Sequence, residues 1–337
     1  MVKQISLPQL IERIQTRTLT EREARDYFLI EPNVRRPFDF RTYLNPKTVD
    51  VQNFEALAKD ADAIIRSYVP PATARRRPVA RRAAAAAHRV VAEGDSWFKL
   101  PFFYPKTCID MMQASGRPII NLARWGDELD EMLAESTFWP YVDSGYDILL
   151  FSGGGNDVLG NGGLASFLNL YDPHHNKPSD ASYYVNKAFY DNLDLIISNL
   201  ESGLIVPLKN RRKGTKLIMH GYDYAIPRPN GPWLGGPMMY QGLHPVDHKL
   251  LCRAIIQLMI DAFNLRLESL AAKYSDVFVH VDLRGTIKEH EWVDELHGKD
   301  AAARKIAARF AAVVDAMRTA PDRSNIARLY LPASAVA

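Results

Sequence analysis

Gly94-Asp95-Ser96 follows the apolar run of residues 88–92 and presents a serine hydroxyl directly after that run. A serine at the end of a buried strand can act as a nucleophile, because the turn exposes the hydroxyl and the next helix N-terminus stabilises developing negative charge. The segment lacks the Gly-x-Ser-x-Gly pattern of the nucleophile elbow, since position 98 is Phe. Ser96 is therefore a candidate nucleophile outside the topology that carries that elbow.

Residues that can activate a serine lie near the C-terminus, in Asp294-Glu295-Leu296-His297. An Asp and a His three positions apart can both face the edge of a sheet. The carboxylate then holds the imidazole in one tautomer, and the imidazole takes the proton of a serine. An Asp-x-x-His pattern by itself is also common on charged surfaces, so its meaning depends on the other segments.

Two glycine-containing segments between these motifs supply hydrogen-bond donors. Gly126 follows the apolar run 118–123, and a glycine there lets a backbone N–H approach a ligand closely. The glycines at 153–155 end the run 146–152 and precede Asn156, whose amide can donate to an oxyanion. The turn lacks the Lys-Ser/Thr of a phosphate-binding P-loop. Taken alone, Gly126 can equally be a glycine at the start of a helix, and residues 153–156 can equally be a glycine-rich turn closed by an Asx cap.

The elements that must position these residues are read from the alternation of apolar runs and helical segments after residue 88. Such alternation predicts βαβ units and a parallel sheet covered on both faces, with ligands bound outside the carboxyl ends of the strands. We therefore predict an α/β fold: a three-layer α/β/α sandwich with a mainly parallel five-stranded sheet. The predicted strands cover residues 88–92, 118–123, 146–152, 215–219 and 277–281, and the predicted helices lie near 126–138, 181–201, 246–273 and 299–318.

Over about residues 88–320 the chain resembles the SGNH, or GDSL-like, hydrolase superfamily. The motifs that carry the resemblance, in chain order, are Gly94-Asp95-Ser96, Gly126-Asp127, Gly154-Gly155-Asn156-Asp157 and Asp294-Glu295-Leu296-His297. The resemblance implies the flavodoxin-like SGNH fold and a serine hydrolase that uses neither a metal nor a cofactor.

The same resemblance implies roles for individual residues. Ser96 is the nucleophile, His297 the general base and Asp294 the acid that orients it. The oxyanion hole consists of the backbone N–H groups of Ser96 and Gly126 and the side-chain amide of Asn156. The implied activity is acyl ester hydrolysis of the esterase or lipase kind, on a small-molecule or lipid ester.

The chain departs from the family pattern at positions that bear on substrate identity. Trp97 stands where an aliphatic residue is common, Gly298 stands where Pro is usual, and Arg124-Trp125 replaces small residues. Residues 161–181 and 222–245 are too long for ordinary connections, and we expect irregular loops that form walls or lids of the site. We expect the substrate pocket to be lined by Trp97, Trp125, Trp233 and Met238.

Two other functions remain open at this stage. One is a non-catalytic recognition or adaptor protein built on an SGNH-like scaffold, with residues 1–70 as a candidate surface for a protein partner. The other is a metal site built from His244 and His248. A Pro245 at the start of a helix explains that pattern equally well, and the Glu of a metalloprotease motif is missing.

Bulk properties exclude several classes of protein. The chain has 337 residues, of which 47% are hydrophobic and 24% charged, and its net charge of +3 disfavours nucleic acid as a partner. We find no secretory signal and no apolar stretch long enough to span a membrane, and expect a cytoplasmic protein. Cys108 and Cys252 lie far apart in sequence, and we expect buried free thiols.

Composition also suggests the domain boundaries. Residues 1–70 are predicted to form a mainly helical module, with residues 32–47 irregular and 51–68 helical. Residues 71–87 are rich in Pro, Ala and Arg and form a linker, either solvated or a basic patch for phosphates or anionic lipid. Residues 88–325 form the hydrolase-like domain, and residues 326–337 form a tail.

Overall fold

The computed structural model describes residues 4–16, 18–32, 40–50, 88–101, 105–211 and 214–319. The described residues up to position 50 belong to a smaller compact unit, and residues 88–100 and 105–319 belong to a larger one. The predicted helix over 51–68, the linker over 71–87 and the tail over 326–337 lie outside the described residues.

The smaller unit combines helices with strands. Its elements are β1 (Ile5–Ser6), α1 (Leu7–Gln15), α2 (Glu21–Tyr27), β2 (Phe28–Pro32), β3 (Phe40–Leu44) and β4 (Val49–Asp50). Capping boxes at Ser6 and Thr20 start the two helices, and Leu7, Leu10 and Ile14 are buried at helical spacing.

Strands accompany the helices in the described part of this unit, and β3 lies within the segment predicted to be irregular. Strand β2 pairs antiparallel with β3, and β1 pairs parallel with β4. The β1–β4 pair joins residues 44 positions apart, and the packing of strand partners is not visible in the periodicity of either segment alone.

The larger unit is built on a five-stranded sheet. Its strands are β5 (Val90–Gly94), β6 (Ile119–Asn121), β7 (Ile148–Ser152), β8 (Lys216–His220) and β9 (Phe278–Val281). Their order is β6-β5-β7-β8-β9, and each neighbouring pair is parallel. All residues of β5 and β7 are buried, as expected for strands covered on both faces. The predicted five-stranded parallel sheet is confirmed.

Helices cover both faces of this sheet. The α-helices are α3 (Cys108–Ala114), α4 (Leu129–Glu135), α5 (Trp139–Asp143), α6 (Gly155–Leu159), α7 (Ala181–Tyr184), α8 (Lys187–Leu200), α9 (Val206–Asn210), α10 (Gly235–Tyr240), α11 (Lys249–Lys273) and α12 (Asp300–Thr319). Helices α3 and α12 share one apolar core with alternate residues of β5, β7 and β9. Helix α8 packs against α4, α6 and α11. The predicted three-layer sandwich is confirmed.

The two segments predicted as irregular loops contain short helices. The first holds most of a 3₁₀ helix over Gly160–Phe167, a 3₁₀ turn at Pro178–Asp180 and the start of α7, and the second holds α10. A π-helical turn over Glu201–Ile205 joins α8 to α9, and a further 3₁₀ turn lies at Glu289–Glu291. Helix α3 was not predicted. Elements this short lack the several turns over which apolar periodicity becomes visible.

Both cysteines are free and buried, as predicted. Burial raises the pKa of the Cys252 thiol to about 12 and raises that of Cys108 further, so both thiols are neutral and unreactive at ordinary pH. Among the described helices, none is both long and apolar enough to cross a membrane.

Candidate active site

The segments singled out in the sequence meet at the carboxyl edge of the large sheet. Ser96 follows β5 by two residues, and Asn156 lies in the first turn of α6 directly after β7. Gly94 ends β5 beside β7, where a Cβ would lie 2.6 Å from the Ser152 carbonyl oxygen. A glycine is therefore required for the turn that delivers Ser96.

Ser96, His297 and Asp294 form one hydrogen-bonded chain. The Ser96 Oγ lies 2.8 Å from Nε2 of His297, and Nδ1 of His297 lies 2.8 Å from Oδ2 of Asp294. An imidazole that donates from Nδ1 to a carboxylate keeps Nε2 free to accept the serine proton. The structure thus brings together three residues that lie up to 201 positions apart.

The Asp294 carboxylate is held in its charged form. Burial raises its pKa, but electrostatic attraction by His297 and three hydrogen bonds outweigh burial and lower the pKa below its usual value. Two of those bonds come from the backbone N–H groups of Leu296 and His297, both at 2.7 Å. Ser96 and His297 are only 1% and 2% exposed, so the hydrogen bond between them is shielded from solvent.

The two other predicted oxyanion donors lie in adjoining turns. Nδ2 of Asn156 donates to the Asp127 carbonyl oxygen at 2.7 Å, which leaves its second hydrogen for another acceptor. Gly126 directly precedes Asp127 and has a φ of 88°, a conformation that favours glycine. The carboxylate of Asp157 accepts the Leu129 N–H at 3.1 Å and so ties the turn after β7 to the start of α4.

A buried polar network beneath Ser96 escaped the sequence analysis. His220 Nδ1 accepts the Tyr222 N–H at 3.0 Å, so in the neutral ring Nε2 carries the proton. That Nε2 lies 2.9 Å from Ser152 Oγ, and Ser152 in turn donates to Asp95 Oδ1 at 2.7 Å. Burial lowers the pKa of His220 to about 3, so the ring is neutral. The hydrogen bonds through Ser152 and His220 thus hold the Asp95 carboxylate, which belongs to the residue next to the candidate nucleophile.

Tyr222 links the turn that carries Ser96 to the turn that carries Asn156. Its hydroxyl donates to Asp95 Oδ2 at 2.5 Å and accepts the Gly155 N–H at 3.0 Å. Tyr222 has a φ of 66°, which is uncommon for a bulky residue and often marks a functional site. The only sequence signal for this residue was its place just after β8.

Glu295 holds the turn over residues 228–235 against the segment that carries His297. Its carboxylate is 1% exposed and accepts four backbone N–H groups. Arg228 and Gly235 donate to Oε1 at 2.9 and 2.7 Å, and Trp233 and Leu234 donate to Oε2 at 2.9 and 3.0 Å. Burial raises the pKa of Glu295, although these four donors favour the charged form. In the sequence, the only signal for Glu295 was its position between Asp294 and His297.

Two cavities adjoin the site. The large cavity contains about 690 Å³ of space, part of it open to solvent, and touches Trp97 and Asn156. The small cavity contains about 300 Å³ and touches Ser96, Trp97 and His297. Trp97 therefore separates the two, and its ring packs against Tyr222 at 5.3 Å between ring centroids.

The other three predicted pocket residues lie outside both cavities. Trp233 is buried and sets its ring edge-on to His297, with 5.7 Å between ring centroids. Met238 is fully buried, and Trp125 is half-buried. Trp233 thus contacts the candidate base, His297, and lines neither the large nor the small cavity.

The histidine pair considered as a metal site is engaged internally. Nδ1 of His248 accepts the His244 N–H at 3.1 Å, and the His248 ring stacks on Tyr171 with 4.2 Å between ring centroids. Within the described ranges no three His, Cys, Asp or Glu side chains are grouped as metal ligands.

No protein-family model matches this sequence, and no sequence among the curated proteins does. Solved structures of similar fold include an extracellular lipase from Streptomyces rimosus, at 15% identity and a TM-score of 0.41, covering 67% of this chain and 99% of the lipase. A member of the lipolytic G-D-S-L family from Veillonella parvula has 14% identity and a TM-score of 0.39, with coverages of 67% and 98%. A catalytic mutant of an acetylxylan esterase from Geobacillus stearothermophilus has 14% identity and a TM-score of 0.41, with coverages of 67% and 94%.

The fold itself bears out the resemblance noted in the sequence. The sheet is parallel with β5 between β6 and β7. The serine, glycine, asparagine and Asp-x-x-His segments follow strands β5, β6, β7 and β9 in that order. Described by its own topology, the chain has an SGNH-like three-layer α/β/α fold.

Proposed function

We propose that this protein is a serine-dependent acyl ester hydrolase that acts through Ser96, His297 and Asp294. One observation carries the proposal: Ser96 Oγ and Asp294 Oδ2 lie 2.8 Å from the two different ring nitrogens of His297. A neutral imidazole held in this way can accept a hydroxyl proton at one nitrogen while the carboxylate stabilises the resulting charge at the other.

The reaction runs in two halves. Ser96 Oγ attacks the ester carbonyl carbon as its proton passes to Nε2 of His297. The bond to the alcohol oxygen then breaks, and His297 returns the proton to that oxygen, which leaves an acyl ester on Ser96. A water molecule next attacks the acyl carbon and gives its proton to His297. The acid departs, and the proton returns to Ser96 Oγ.

Negative charge on the carbonyl oxygen is met by three donors, namely the Ser96 and Gly126 N–H groups and the Asn156 amide. Each donor is worth about 3 kcal/mol in the transition state, if an oxyanion-hole donor elsewhere is a guide. The hydrogen bond from Asn156 to the carbonyl next to Gly126 supports this grouping, because it holds the two turns in register.

The test compares wild type with Ser96→Ala and His297→Ala on p-nitrophenyl acetate and with a fluorophosphonate probe. We expect both variants to lose hydrolysis by at least about a thousandfold and Ser96→Ala to lose labelling. Ser179→Ala, at an exposed serine, is the matched control and should behave as wild type. A folded wild type that neither labels nor hydrolyses esters would favour the non-catalytic recognition function instead.

A further inference from the structure

The large cavity has walls of almost purely apolar side chains. Helix α6 contributes Val158, helix α8 contributes Phe189 and Leu193, and helix α11 contributes Met259 and Phe263. These side chains surround about 690 Å³ of space, part of it open to solvent, and pockets for small molecules are lined mainly by apolar side chains of this kind.

Apart from Asn156, the two acidic residues that line this cavity already accept hydrogen bonds from within the protein. The Asp95 carboxylate accepts bonds from Ser152 and Tyr222. The Asp223 carboxylate accepts the backbone N–H groups of Gly285 and Ile287, both at 2.6 Å. A sugar would therefore find few hydrogen-bond partners here, and burying its hydroxyls without partners costs free energy. A hydrocarbon chain carries no such cost.

The two cavities touch different members of the proposed catalytic set. Asn156, the proposed donor to the carbonyl oxygen, lines the large cavity. His297, which must protonate the leaving alcohol, lines the small cavity with Ser96. Because the carbonyl oxygen stays with the acyl part and the proton goes to the alcohol part, the acyl part belongs on the Asn156 side.

We propose that the large cavity binds the acyl chain of the substrate and the small cavity the alcohol, so that the protein prefers medium-chain acyl esters over acetyl esters. This inference rests on the proposed function for the identity of the reacting bond. Burial of each methylene group should strengthen binding about fourfold until the cavity is full.

The first experiment measures binding without turnover. Ser96→Ala protein is titrated by calorimetry with acetate, butanoate, hexanoate and octanoate, which are the acids that hydrolysis would release. We expect affinity to rise about fourfold per methylene from butanoate to octanoate. Affinity that does not depend on chain length would overturn the assignment of the cavity.

The second experiment fills the cavity. Val158 is half-buried in its wall, and Val158→Phe in the Ser96→Ala background should weaken octanoate binding at least tenfold relative to butanoate. Val206→Phe is the matched control, since Val206 is also half-buried but lies on α9 outside the cavity wall. Ala225→Leu, in another part of the wall, repeats the test should Val158→Phe fold poorly. An octanoate preference that survives filling at both positions would contradict the proposal.

The third experiment separates this inference from the proposed function. Wild type hydrolyses p-nitrophenyl esters of the same four acids, and kcat/KM should follow the binding series. Ser96-dependent hydrolysis without a preference for acyl-chain length would support the proposed function and refute the assignment of the large cavity to the acyl chain. Binding that depends on chain length, without hydrolysis of any ester, would support a binding site for apolar chains and refute the proposed esterase function.

Discussion

The Asp294 carboxylate contacts His297 twice: Oδ2 lies 2.8 Å from the ring Nδ1, and Oδ1 accepts the backbone N–H of the same residue at 2.7 Å. A single side chain therefore fixes both the tautomer of the imidazole and the turn of backbone that carries it. The second contact would survive a change of Asp294 to Asn, whereas the first would not.

Asp294→Asn should lower kcat about ten-thousandfold with little change in KM, as the equivalent change does in a serine protease. The Asn amide donates an N–H at the position where the carboxylate accepted one. The imidazole therefore adopts the other tautomer, with its lone pair at Nδ1 and its proton at Nε2, and Nε2 can no longer accept the Ser96 proton. Steady-state kinetics on a soluble ester measure the loss. Asp276→Asn, at an exposed ion pair with Lys209, should leave both constants unchanged. A variant with a higher KM and an unchanged kcat would show that Asp294 does not orient the base.

Asn156→Ala should lower kcat by about a hundredfold to a thousandfold, because an oxyanion donor acts mainly in the transition state. The measurement is the separation of kcat from KM, since a merely structural role would act through folding rather than through kcat alone. Asn199→Ala removes a half-buried amide that donates to Asp130 and serves as control. Unchanged kcat in a folded variant would remove Asn156 from the oxyanion hole.

Glu295→Gln should lower the free energy of unfolding by about 3 kcal/mol, because an amide nitrogen faces two of the four N–H donors and leaves them buried without an acceptor. Urea denaturation measures the loss. Hydrogen exchange should quicken over residues 228–235 before it quickens elsewhere. Glu289→Gln, at an exposed glutamate paired with Arg253, provides the comparison. Exchange that rises evenly across the chain would argue against local anchoring.

His280 should make the fold less stable in acid. Burial lowers its pKa from 6.5 to about 4, so between these values the unfolded chain binds more protons than the folded one. Stability from this group is complete above pH 6.5 and falls by about 3 kcal/mol as pH drops through about 4. His220, whose pKa burial lowers to about 3, acts in the same direction.

His280→Gln should flatten this dependence. Asn264 donates from Nδ2 to the Gly221 carbonyl oxygen, so its Oδ1 accepts from His280 Nε2 at 3.0 Å, and a glutamine amide can keep that bond. Urea denaturation across the same pH range gives the slope, with His174→Gln at an exposed histidine as control. A variant with the wild-type slope would show that His280 does not carry the effect.

The strands and the order of the motifs were legible in the sequence because both are local signals. Each strand of the large sheet contains an apolar run of two to four residues, and a buried parallel strand is recognised by such a run. The glycine and asparagine after β7 and the serine after β5 had to meet, since the carboxyl ends of neighbouring parallel strands share one edge. The β2–β3 pair was missed because β3 has no such run, being interrupted by Arg41 and Thr42.

By itself, then, the sequence determined the layered fold and named the side chains able to react. Tertiary structure decided what surrounds them. Tyr222 donates to Asp95 across 127 positions, and Glu295 accepts N–H groups that lie 60 to 67 positions away. The apolar cavity exists only where α6, α8 and α11 converge. A hydrogen bond or a cavity wall depends on distances between segments that chain order does not encode, whereas apolar periodicity repeats within each segment.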